Sequence, residues 1–132
     1  MDILLTRSAL QSIEAAAPIG RRTVSGSLLG HKRGGRVIVE RAVASGFRVF
    51  PGREEYARAV SILGCEIVGF YSFVPPAAIR KTKPPPFSVG KVVLSVGSGK
   101  NGCRLRAWSV DYTDRFVWKP LRITSPGGRR HA

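Results

Sequence analysis

Four apolar runs follow one another through the second half of this chain: "CEIVGFYSF", "GKVVLSVGS", "CRLRAWSVD" and "RFVWKPLRI". Runs of this length, rich in β-branched and aromatic residues and bounded by turn formers, are strands. They oblige the chain to build around a sheet, with helices packed against it. The connections "GSGKNG" and "DYTD" have the length and composition of hairpin turns, so the last three strands are expected to form an antiparallel meander.

The first half supplies the remaining elements. "MDILLT" reads as a short strand, after which Thr6 or Ser8 can cap a helix carrying Leu10, Ile13 and Ala17 on one face; Pro18 and Gly20 stop it. "TVSGSLLG" and "RVIVERAVAS", joined at "HKRGG", make a β-hairpin with a basic tip. "GFRVFPG" is a connector or short strand. "REEYARAVSILG" has Glu54 and Glu55 early and Tyr56, Ala59, Val60 and Leu63 on one face, which suits a second helix ended by Gly64. The segment "VPPAAIRKTKPPPFS" is too long for a hairpin turn, and its three consecutive prolines favour a stiff extended path without a helix. "TSPGGRRHA" lacks apolar residues and is expected to fray. The succession β-α-ββ-α-ββββ therefore predicts one mixed α/β sheet with helices packed on it, a single domain over 1–123 and a basic tail over 124–132.

A chain of 132 residues can bury a core without disulfide or metal staples. None of its segments approaches the ~18 to 20 continuous apolar residues of a membrane span. Its start has an early acid, Asp2, and no clean apolar core of a signal peptide. The expected compartment is the cytoplasm, where Cys65 and Cys103, each inside an apolar run, serve as small buried hydrophobes. Charge is the unusual quantity: 22 Lys and Arg stand against 8 Asp and Glu, a net +14. Such a surplus attracts polyanions or acidic protein faces and says nothing about fold. It thickens at "HKRGGR", "RKTKPPPFSVGK" and "GGRRHA", which makes Lys32, Arg33, Arg36 and Lys91 possible polyanion contacts. An arginine-rich solvated surface would carry the same charge.

Catalytic groups are scarce. His31 and His131 have no acid or cysteine beside them in sequence to complete a metal set or a triad. "GSGKNG" lacks the spacing of a phosphate-binding loop and joins two strands instead of opening a helix. Eight carboxylates, most in helix or turn contexts, offer no convincing acid pair.

The order "SGSLLG" (25–30), "EIVGFYSFVPP" (66–76), "KVVLSV" (91–96), "LRAWSVD" (105–111) and "FVWKPLRI" (116–123) resembles that of the JAB/MPN, or JAMM, domain of zinc-dependent isopeptidases, over roughly residues 2 to 123. The resemblance implies an MPN-like, cytidine-deaminase-like mixed sheet with packed helices. It also implies what is lost. Where the family carries its two zinc-binding histidines this chain has Tyr71 and Phe73, which offer no imidazole nitrogen. The position of the family's aspartate ligand falls near Lys81 and Pro84, and that of its general-base glutamate on Thr23, which is no base at neutral pH. The resemblance thus implies a catalytically inactive, zinc-independent homologue with no cofactor.

By analogy with the family's inactive members, the expected role is a protein-interaction or scaffold module, with a homodimer mate or a component of an active MPN or ubiquitin-like system as partner. Its expected contact surface comprises Tyr71, Phe73, Pro75, Pro76, Arg80, Lys81 and Lys83. A basic nucleic-acid-binding protein is the alternative, and a hydrolase with a rebuilt site a remote third.

Overall fold

The computed structural model describes residues 1–15, 25–63, 66–99, 102–124 and 130–131. Strand β1 (Asp2–Leu5) leads into helix α1 (Arg7–Ala15), followed by the hairpin of β2 (Ser25–Arg33) and β3 (Arg36–Ser45). Helix α2 (Arg53–Leu63), β4 (Ile67–Ser72) and the short α3 (Pro76–Lys81) come next. The chain then runs through β5 (Val92–Gly99), β6 (Gly102–Tyr112), β7 (Phe116–Thr124) and the two-residue β8 (Arg130–His131). Among the described residues no helix is long and apolar enough to cross a membrane.

Local chemistry accounts for most boundaries. The Ala9 N–H donates to Thr6 Oγ1 at 3.2 Å, which makes Thr6 the cap of α1. The Gly52 N–H donates to Glu55 Oε1 at 3.2 Å, and the Tyr56 N–H to the Gly52 carbonyl at 2.9 Å; an acid thus closes the first turn of α2. The β2–β3 turn is reduced to Gly34–Gly35, with Gly34 at φ +58°, so Lys32 and Arg33 belong to the strand. The expectation of a helix-free 74–88 segment fails. Pro76 sits at the first position of α3, where its missing N–H costs nothing and its fixed φ suits the helix, and the three later prolines fall beyond the helix end. At the far end, Arg130 and His131 pair with Thr124 and Ile123 instead of fraying.

The expected open α/β sheet of MPN type is not formed. The strands lie in the order β1-β3-β2-β4-β5-β6-β7, and β1 pairs in parallel with β3 on one side and with β7 on the other. The sheet therefore closes on itself as a seven-stranded barrel, with β8 added against β7. Its interior is filled by side chains, as in other small barrels: Ile3, Leu5, Leu28, Val37, Val39, Leu94, Leu105 and Ile123 are all at most 1% exposed. Ala9 and Ile13 of α1 join this inner cluster. Two further clusters lie on the outer face. One packs Ile79 of α3 against Val93, Trp108 and Val110; the other packs α2 over Leu29, Ile67 and Phe70.

A register shift in β4 decides which residues look inward. Leu28 pairs with Gly69 and Leu29 with Ile67, so Val68 is an inserted residue. Strict alternation would send residues three apart to opposite faces, yet Val68 and Tyr71 both lie in the inner cluster. Phe70 and Ser72 consequently point outward.

Candidate functional site

Tyr71, expected on an interaction surface, is a barrel-interior residue at 1% exposure. Its cross-strand partner is Gly26, and a Cβ there would stand 2.6 Å from Tyr71 Cε1 and 2.1 Å from the Val43 carbonyl oxygen. The ring occupies the space that a side chain at 26 would need. Phe73 is half-buried and packs edge-on against Tyr71, with centroids 6.4 Å apart. β4 aims the Tyr71 ring into the barrel, and Phe73, in the bend just past the strand end, packs its ring partly against the same inner cluster. The surface role expected of Tyr71 is thereby corrected to a core role, while Phe73 keeps part of its ring open to solvent.

Burial raises the Tyr71 phenol above the ordinary tyrosine value of 10. The folded state then holds its proton where the unfolded chain has lost it, so the stability this group contributes is complete below pH 10 and falls as pH climbs past it. We expect a late-ionising phenol in an alkaline absorbance titration, missing from Tyr71→Phe. A Tyr71→Phe titration curve superimposable on that of the parent in this late range would contradict the buried placement.

The serine between the two rings has a different task. Ser72 is fully buried, and its Oγ donates to the Arg48 carbonyl at 2.6 Å; Ser25, its neighbour across β2 and β4, donates to the Phe47 carbonyl. These two hydroxyls fasten the 46–52 connection to the outside of the barrel by satisfying two of its carbonyls. Along it Phe47 and Val49 are buried while Arg48 projects into solvent.

A groove of about 550 Å3 opens between this connection and α3, lined by Arg48, Val49, Phe50, Ala78, Lys81, Thr82 and Lys83. Arg48, Lys81 and Lys83 are exposed, Val49, Phe50 and Ala78 are apolar, and among the described residues no carboxylate lines it. Three cations facing one concavity without a counter-ion create a positive potential for an anion to neutralise. Thr82 Oγ1 donates to the Ala78 carbonyl at 3.0 Å, so its proton is already used in closing α3.

The other expected contacts are dispersed. Pro75 is exposed, Pro76 half-buried as the start of α3, and Pro84 buried; Arg80 is exposed but does not line the groove. Lys32 Nζ donates to the Gly90 carbonyl and Lys91 Nζ to the Ile67 carbonyl, both at 2.8 Å, so these ammonium groups also brace the loop before β5. Arg33 and Arg36 line a separate groove of about 520 Å3 with Asp2, Gly35 and Ile38. Thr23 and Cys65, like the side chains of Cys103 and His131, lie outside the described residues. His31 Nδ1 is 3.2 Å from Glu40 Oε1 in an exposed pair. Among the described residues no three metal-binding side chains gather.

Sequence reasoning found Lys81 and Lys83 and missed Arg48 and Phe50. The signal for Arg48 was the alternation Phe47-Arg48-Val49, buried on either side of a cation turned outward, and nothing in it marks Phe50.

No protein-family model matches the chain, and no curated protein matches it. Among solved structures, the solution structure of protein DSY2949 from Desulfitobacterium hafniense is similar at a TM-score of 0.64 and 16% identity, over 93% of each chain. At that identity the likeness concerns the fold alone.

Proposed function

We propose that this protein is a non-catalytic binding module whose ligand is a nucleic acid, its phosphates held by Arg48, Lys81 and Lys83. The observation that carries the reading is the convergence of those three side chains on one open groove lined, among the described residues, by no acid. The burial of Tyr71 supports it from the other side: an apolar protein interface at the end of β4 would lack its aromatic anchor. The net charge of +14 adds long-range attraction for the same class of ligand. A cytoplasmic location accords with that ligand. The resemblance of motif order to the JAB/MPN domain carries none of this reading.

Counterion release supplies the test. Three neutralised phosphates give a slope of log affinity against log salt of about −2 on a single strand and about −2.7 on duplex DNA. Raising salt from about 50 to about 200 mM should therefore weaken single-strand binding by about twenty-fold. Fluorescence anisotropy with a labelled oligonucleotide across a salt series measures it. A slope near zero, or binding confined to an acidic protein with none to nucleic acid, would overturn the proposal.

A further inference from the structure

We infer that the nucleic acid taken by this groove is single-stranded and that one of its unpaired bases stacks on Trp118, an inference that rests on the groove being a nucleic-acid site. Phe50 lines the groove, and its ring centroid lies 6.0 Å from that of Trp118 with 35° between the planes. Trp118 also meets Trp108 edge-on at 6.3 Å and 81°. The two indoles differ in what remains open. Trp108 is 1% exposed, with the Arg106 guanidinium 5.5 Å from its ring centroid, whereas Trp118 is only half-buried. Phe50 and Trp108 thus fix the orientation of Trp118 while leaving part of its surface to solvent.

Trp118 is outside the groove's lining and adjoins it through Phe50, and an aromatic surface at the margin of a cationic groove suits a chain that alternates phosphates with flat bases. A duplex hides its base faces inside its own stack and can offer this surface only phosphates; an unpaired base can use both. The cations contact phosphate, and Thr82, the one neutral polar side chain among the described lining residues, has its proton engaged by the Ala78 carbonyl. Binding should therefore be indifferent to base sequence, since every base has a stacking face.

Oligothymidylate and a mixed-sequence duplex, titrated against the intact protein, provide the test. Single strand is expected to bind more tightly than duplex and to quench tryptophan emission, with the half-buried Trp118 as the indole that responds. Trp118→Leu should weaken single-strand binding by between about five- and 150-fold, the range of one stacked base, and leave duplex affinity unchanged. Trp118→Phe should recover most of the loss. Should Trp118→Leu fail to fold, the emission of the intact protein decides: unchanged emission at saturating oligothymidylate overturns the inference. Equal affinity for both forms, unmoved by either substitution but lost on reversing Arg48, Lys81 and Lys83, would remove the stacking and leave the groove. Absence of binding to either form would remove the groove reading itself.

Discussion

Tyr71→Ala is expected to destabilise the protein by about 3–5 kcal/mol, the range for emptying a large aromatic from a packed core. The ring lies inside a closed barrel against Gly26, which has no side chain to extend into the space, and the strands are held by pairing on both sides. For a domain whose total stability is of the order of 5–15 kcal/mol, such a loss is a large fraction of the whole. Tyr71→Phe retains the ring and removes only the hydroxyl, so this variant should stay within about 1 kcal/mol of the parent. Urea denaturation of the two variants measures the difference. An alanine variant of parental stability would return Tyr71 to the surface, and the inward direction of β4 after Val68 would have to be abandoned.

The second large effect concerns binding. Arg48→Glu/Lys81→Glu/Lys83→Glu should weaken nucleic-acid affinity by about 100-fold or more at low salt, because three charge-assisted contacts become repulsions. All three side chains are exposed, and the bond that fastens the rim uses the Arg48 carbonyl and not its guanidinium, so the fold should survive. Circular dichroism and melting temperature provide that control. The matched variant Arg33→Glu/Arg36→Glu reverses charge at the hairpin groove and should reduce affinity only modestly, through the general field. Equal losses from the two sets would show that affinity follows net charge alone.

The sequence announces its strands more clearly than their closure. β5, β6 and β7 are joined by short turns, and α2 carries its own apolar face, so local period and turn chemistry suffice for them. Nothing local says that Asp2–Leu4 will lie beside Arg122–Thr124, because no turn or hairpin specifies a parallel pairing between residues so distant. The same holds within β4. One inserted residue, Val68, sets which side chains face the interior, and an inserted residue leaves no mark in a run as uniformly apolar as "EIVGF". At the groove, Lys81 and Lys83 are legible as charge. Arg48 depends on two serine hydroxyls that hold its own carbonyl and that of Phe47, and the groove depends on α3 and the 46–52 connection meeting over the barrel; both are facts of tertiary contact.

The seam between β1 and β7 also fixes when this protein can become itself. Four residues at one end of the sheet must find a partner strand that begins more than a hundred residues later. Joining such distant points in an otherwise unstructured chain costs roughly 4 kcal/mol in closure entropy, more than a strand of four residues is suited to recover alone. The cost shrinks only when the intervening strands have already paired and brought the two edges near. The seam should therefore form late, as a latch on a sheet already curled. During synthesis it must wait for residue 124 to emerge, and until then the apolar interior stands open to water and to whatever chaperone covers it.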